Sequence, residues 1–268
     1  MSHLVDTHCH LTFPSFQEDL SSVLDQAREK GVCRFMVPGT DLTSSIAAVK
    51  LAEKEPDVYA AVGVHPNDAI TWNASTLDTL SHLAQHPKVK AIGEIGLDYY
   101  RQYAPHPLQQ EIFLEQLALA KNLNLPVIIH IRHAVKDAWD ILKKWNETRS
   151  SNPISIPAHP GVLHSYEDDL QTALEAINAG FFIGISGPIT YKNAGKRTQT
   201  IAGIPLMCLV LETDSPFLTP APLRGQPRNH PGNIPIIAQK LADILATSLD
   251  NVVEQTCANS NQLFHWDC

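Results

Sequence analysis

Eight short apolar runs alternate with longer segments of helical period along the whole chain, and few folds are compatible with that rhythm. The runs are Leu4 to Thr7, Val32 to Val37, Val58 to Val64, Val89 to Ile95, Val127 to Ile131, Ile154 to Leu163, Phe181 to Ser186 and Cys208 to Thr213. Between them, sets such as Leu20, Val23, Leu24 and Ala27, or Val135, Ala138, Trp139 and Leu142, recur at i, i+3, i+4 and i+7. Gly31, Pro126 and Gly180 mark the junctions before the second, fifth and seventh runs. Two further helices are expected after the last run, one carrying Ile234, Ile237, Ala238 and Leu241 and one over Leu249 to Phe264. Eight βα repeats predict an α/β fold of the (β/α)8 TIM-like barrel type, with a doubly wound open sheet as the alternative. At 268 residues, without a linker or low-complexity run, the chain is expected to form a single domain over 1–268. The one extended irregular stretch is Pro216 to Gly232, after the last run.

Polar residues cluster where such a fold would use them, because barrel sites sit at the carboxyl ends of the strands. Asp6, His8 and His10 close the first run, His65 the third, Glu94 and Asp98 the fourth, His130 and Arg132 the fifth, His164 the sixth, and Glu212 and Asp214 the eighth. Imidazoles mixed with carboxylates suit Zn2+, Mn2+, Co2+ or Fe2+ better than an all-oxygen set would. His8 and His10, two apart on an extended chain, project to one side. Glu94, His130 and Asp214 each follow apolar residues, where burial without a partner or an ion is costly. His8, His10, Glu94, His130, His164 and Asp214 exceed the needs of one tetrahedral ion and would serve two bridged by Glu94. The bland alternatives are that an HxH pair is merely hydrogen-bonded, and that His159 replaces His164 on the sixth run. Cys9 points to the opposite face of its strand and is expected in the core; His82, His86, His106 and His265 are expected in solvent.

Composition limits the partner. Lys and Arg number 20 against 28 Asp and Glu, a formal charge of −8, which excludes a surface that coats nucleic acid. Arg101, Arg132, Lys192, Lys196, Arg197, Arg224 and Arg228 nevertheless fall in the expected βα loops, and Arg132 and Arg228 are the leading candidates to grip phosphate in bidentate fashion. Tyr99, Tyr100 and Tyr103 could stack on bases or cap the core. Five cysteines without a CxxC pair, and an N-terminus without a basic and apolar leader, point to a soluble chain with reduced thiols in the cytoplasm.

Taken in order, Asp6-Thr7-His8-Cys9-His10, Gly63-Val64-His65-Pro66, Gly93-Glu94-Ile95-Gly96-Leu97-Asp98-Tyr99, His130-Ile131-Arg132, Gly161-Val162-Leu163-His164, Leu211-Glu212-Thr213-Asp214-Ser215-Pro216 and Arg228-Asn229 resemble the TatD-type metal-dependent deoxyribonucleases, a branch of the amidohydrolase-like metallohydrolases. The resemblance implies a barrel with two or three divalent cations such as Zn2+, Mn2+ or Mg2+, held by His8, His10, Glu94, His130, His164 and Asp214. It further implies a 3′-5′ exonuclease that acts on the ends of single-stranded or frayed DNA, with Asp214 handling the attacking water, Glu94 as the other catalytic carboxylate, and Arg132, Arg228 and His65 on the phosphate. Two positions depart from the family pattern. Ser165-Tyr166-Glu167-Asp168 stands where Cys-Phe-Ser-Gly is usual, and His133 where an acidic residue is common. Two other readings remain open from the residues: amide, lactone or small phosphoester hydrolysis at the same centre, and a non-enzymatic metal-binding scaffold.

Overall fold

The structure is a computed structural model, described over residues 3–150 and 159–266. Eight strands, β1 (Leu4–Asp6), β2 (Val32–Pro38), β3 (Val58–Val62), β4 (Val89–Asp98), β5 (Val127–Arg132), β6 (Gly161–Leu163), β7 (Phe182–Ile185) and β8 (Leu209–Leu211), follow one another in the sheet in chain order. Helices α1 (Leu20–Glu29), α2 (Leu42–Lys54), α3 (Ala74–Leu83), α4 (His106–Leu123), α5 (Val135–Ser150), α6 (Leu170–Asn178), α7 (Gly195–Ala202), α8 (Ile234–Leu245) and α9 (Leu249–Phe264) lie between and after them. Each expected run contains a strand. The first half of the sixth run, Ile154 to Ala158, lies outside the described residues.

The chain divides into two compact units. The first comprises Met1–Val37, Ser165–Asn178 and Phe182–Gln262. Within it β1 pairs in parallel with β2 (Val5↔Arg34, Asp6↔Phe35) and β7 with β8 (Gly184↔Val210). Thr7 then donates to the Leu211 carbonyl through both its backbone N–H (3.0 Å) and its hydroxyl (2.9 Å), and Cys9 forms a parallel bridge with Ser215. An open sheet would leave its first and last strands apart; here they are joined, which disposes of the doubly wound alternative. Helix α8 buries Ile234, Ile237, Ala238, Leu241 and Ala242, the single stripe that its spacing predicted.

The second unit comprises Pro38–His164, Ala179–Phe181 and Leu263–Cys268, and holds β3 to β6 in parallel register. β3 is buried throughout and β4 nearly so, the near-continuous apolar pattern of strands covered on both faces. Capping boxes start two helices: Asp41 accepts from Ser44 N–H at 2.6 Å to begin α2, and Asn73 pairs with Thr76 to begin α3. β4 runs on to Asp98, beyond the expected end at Ile95, because the Asp98 carboxylate is satisfied in place. Its Oδ1 accepts from the N–H groups of Tyr100 and Arg101, both at 2.9 Å.

Gly96 fixes how closely β4 approaches His130. Its φ is +143°, a region that side chains rarely enter, and a Cβ there would lie 2.0 Å from the His130 carbonyl oxygen. Gly96→Ala is therefore expected to cost more than about 2 kcal/mol and to lower the thermal midpoint by roughly 4–8 °C. A melt within one degree of wild type would show that the strand pair tolerates a wider spacing.

Candidate metal centre

In the first unit, the end of β1 and the end of β8 bring three donor groups together. His8 Nε2 and His10 Nε2 are 3.1 Å apart, and Asp214 Oδ1 lies 3.8 Å from the former and 3.5 Å from the latter. Donor atoms about 2.0–2.1 Å from a tetrahedral ion stand about 3.3 Å from one another, so the set fits a transition-metal dication. His8 and His10 are buried. Asp214 has φ +54° and donates its N–H to the His8 carbonyl at 2.9 Å, which holds the two ligand-bearing segments in register.

Behind this set lies Asp6, fully buried. Its Oδ1 accepts from the N–H groups of His8 (3.2 Å) and Thr213 (2.9 Å), and its Oδ2 from the Thr213 hydroxyl (2.6 Å). Burial pushes its pKa up to about 8, against the pull of those hydrogen bonds and with a further push from the Glu212 charge. Glu212 is also fully buried and accepts from Ser165 N–H. Gly184 leaves the room it needs, since a Cβ there would sit 2.6 Å from Glu212 Oε2.

In the second unit, Glu94 Oε1 faces three imidazoles: His130 Nδ1 at 2.8 Å, His65 Nε2 at 3.7 Å and His164 Nε2 at 3.9 Å. His65, Glu94 and His130 offer ligand atoms that all lie within 4.8 Å of one another. His130 Nε2 is in turn 3.3 Å from Asp98 Oδ2. Burial pulls the His130 pKa down, yet hydrogen bonds to Asp98 and Glu94 and the charge of Glu94 override it and raise the ring to about 9. Asp98 is held well below the usual carboxylate range despite its burial, chiefly by His130 and the Arg101 N–H. The proton on His130 occupies a place that favours positive charge between imidazole and carboxylate, which is what a cation site requires.

His65 differs from the other imidazoles. Its Nδ1 accepts from Asn67 N–H at 3.0 Å, so the neutral ring carries its proton on Nε2. A ring in that tautomer presents a donor rather than a lone pair, which suits a phosphate oxygen better than an ion.

Several other expected residues have definite places. The Arg132 guanidinium lies 4.0 Å over the ring of Tyr100, a residue 52% exposed. Arg228 is drawn to the segment after β1, where it donates to the Ser15 carbonyl and to Asp19 and covers the Phe16 ring at 4.6 Å. A carboxylate thus stands beside the guanidinium that was expected on phosphate. Tyr99 is a structural cap, stacked 3.7 Å from His106 and hydrogen-bonded to Asp137 and Gln110. Cys9 donates to the Met36 carbonyl at 3.4 Å, in the core as expected, and His159 Nδ1 is 3.0 Å from the Gly180 carbonyl oxygen. In the departure after His164, Glu167 is paired with Arg197 at 2.7 Å and Tyr166 is buried. The clamp role of Asp6 was missed; its only signal was a carboxylate two residues before His8 in an apolar strand.

Strand-end histidines and carboxylates on a parallel βα fold are the donor arrangement of a metal-dependent hydrolase. The chain belongs to the TatD-related DNase family, whose model matches residues 5–265. It is 37% identical to the uncharacterized metal-dependent hydrolase YabD of Bacillus subtilis (strain 168), over 97% of this chain and 98% of that one. Identity is 34% to the 3′-5′ ssDNA/RNA exonuclease TatD of Erwinia tasmaniensis, over 98% and 100%. The crystal structure of YjjV, a TatD homologue from Escherichia coli K12, matches with a TM-score of 0.91 at 32% identity, over 99% of both chains. The eight parallel strands with flanking helices are thus the TIM-type barrel of that family.

Asp6→Ala is expected to leave two N–H groups and one hydroxyl buried without an acceptor, costing at least ~2 kcal/mol and most of the bound metal. Asp6→Asn, which keeps one acceptor and the shape, should retain more of both. Thermal melts paired with elemental analysis check this; equal losses in the two variants would discard the clamp.

Proposed function

We propose that the protein is a divalent-metal-dependent deoxyribonuclease that removes nucleotides from the 3′ ends of single-stranded or frayed DNA. The observation that carries this reading is the pair of donor sets, His8, His10 and Asp214 in one unit and Glu94, His130 and His164 in the other. Two such sets match a requirement for two or more cations, of Zn2+, Mn2+ or Mg2+ character. Bound dications supply Lewis-acid stabilisation of the charge on the phosphoryl oxygens and make a water acidic at neutral pH. The chain's own residues do the rest. Asp214, half-buried and held by His8, orients the attacking water and accepts its proton on a carboxylate oxygen. The water oxygen bonds to phosphorus, the bond from phosphorus to the 3′ oxygen of the preceding nucleotide breaks, and that oxygen leaves as a hydroxyl with a proton from solvent, to which Asp214 returns the one it accepted. Glu94 keeps His130 and its neighbours in place through the 2.8 Å contact. His65 donates from Nε2, and Arg132 from its guanidinium, to phosphate oxygens.

The relative named as a single-strand exonuclease and the family model support a nucleic-acid substrate. The formal charge of −8 favours capture of an end over coating of a strand. Among the described residues no helix is long and apolar enough to cross a membrane; we place the enzyme in the cytoplasm, where an odd number of cysteines, five, without a CxxC pair suits reduced thiols.

The test is release of nucleotides from a 5′-labelled single-stranded oligonucleotide with Mn2+ or Mg2+ added or chelated. Chelation is expected to abolish release, and Asp214→Asn and Glu94→Ala to lower kcat by about 10³-fold or more. Turnover confined to lactone or amide substrates would overturn the reading. His65→Ala should behave differently: a loss of about 10–100-fold in rate with metal content unchanged, as for a removed donor. Loss of metal in that variant would make His65 a ligand instead.

A further inference from the structure

The site has an aromatic component that the reaction above does not use. Phe217 stands three residues after Asp214 and is 51% exposed. Its ring makes T-shaped contacts with His10 at 6.3 Å and with Phe13 at 5.9 Å, while Phe13 stacks on His10 at 4.7 Å. A candidate ligand imidazole is thus flanked by two phenyl rings, and the outer one keeps half its surface in solvent.

Exposed aromatic rings are common on mobile loops, but this loop is pinned. Phe217 N–H donates to the Asp214 carbonyl at 2.8 Å, and the Phe217 carbonyl accepts from Asn229 Nδ2 at 2.8 Å. Asn229 is fully buried, donates also to the Thr213 carbonyl at 2.9 Å, and is held through its Oδ1 by Asn233 at 2.8 Å. Leu218 takes φ +54° immediately afterwards. The hydrogen bonds that place Asp214 therefore also place Phe217. Burying a ring of this size is favourable, and a rigid scaffold that instead presents it to water beside a hydrolytic site offers it to a ligand.

We propose that Phe217 is the stacking platform for the terminal nucleobase of the bound strand. The inference rests on the phosphodiesterase reading and deepens it. A nucleobase lies one sugar ring away from its phosphate, a span comparable with the 6.3 Å between the Phe217 and His10 rings. Stacking is available to every base, so the platform gives affinity without sequence preference. A base stacked on Phe217 cannot stay in a duplex stack, which makes an unpaired or frayed end the preferred substrate.

The experiment compares the full-length wild type with Phe217→Ala, Phe217→Leu and Phe217→Trp, all loaded with Mn2+, on two single-stranded oligonucleotides. One has normal 3′-terminal nucleotides; in the other the last two are abasic. Phe217→Ala is expected to raise KM for the normal strand by about ten-fold with kcat little changed. Its KM for the abasic strand should match that of the wild type. Phe217→Leu keeps apolar volume without a π face and should resemble Ala, whereas Phe217→Trp should restore the wild-type KM. Elemental analysis should show equal metal in all four. The inference is overturned if Phe217→Ala and Phe217→Leu leave KM for the normal strand unchanged, or raise it equally for both strands. If the wild type cleaves neither oligonucleotide, the phosphodiesterase reading fails and takes the inference with it, a result distinct from the first two.

Discussion

A buried carboxylate ties the first strand to the last. β1 and β8 are three residues each, too short for a backbone ladder to fix their ends. Beyond the strands proper, Asp6 collects the N–H groups of His8 and Thr213 and the Thr213 hydroxyl on one side chain. Backbone bonds from Thr7 to Leu211, from Asp214 to His8 and from His10 to Ser215 complete the seam. Apart from Leu211, each residue in that list is a candidate ligand, adjoins one or, as Asp6 does, accepts a hydrogen bond from one. A carboxylate in such a place is expensive to desolvate and is kept only if its acceptors are filled, so the fold and the site share one solution to one problem.

Charge explains the second unit in the same way. Glu94 and Asp98 are both buried, and the His130 ring stands between them, 2.8 Å from Glu94 and 3.3 Å from Asp98, and is driven to hold a proton up to about 9. A parallel strand that carries two carboxylates near its carboxyl end is stable only with positive charge nearby. A proton on imidazole supplies it in the chain by itself, and a dication would supply it more fully while displacing that proton. The first unit sets the same condition with Asp214 beside His8 and His10.

What could be read from the sequence was what depends on neighbours along the chain. Apolar runs and helical stripes place all eight strands and both C-terminal helices, and α9 begins and ends where its periodicity does. Cost of burial singled out Glu94, His130 and Asp214. What could not be read was the identity of distant hydrogen-bond partners. Asp98 lies past the apolar run that marks its strand, and its place in β4 follows only from the N–H groups of Tyr100 and Arg101 and the Gln109 side chain that satisfy it. Asp6 finds Thr213 across 207 positions, and Arg228 finds Asp19 across 209. Neither meeting leaves a trace in local composition. Tyr99 and Phe217 show the same limit for aromatics: one is consumed by His106 and Asp137, the other is left exposed, and the residue type is silent on which.

The loop arginines of this acidic protein differ in what they meet. Two are paired with a carboxylate: Arg197 with Glu167, Arg228 with Asp19. Arg132 and Arg224 instead lie over tyrosines, at 4.0 Å from Tyr100 and 4.1 Å from Tyr191. Stacking orients a guanidinium without cancelling its charge and leaves the N–H groups at its edge able to bind phosphate oxygens. The chain therefore separates two uses of arginine, one that locks loops together and one that keeps positive charge oriented and available. A net charge of −8 is then compatible with nucleic acid, because attraction needs to act only at a few fixed positions near a strand end and not along a surface.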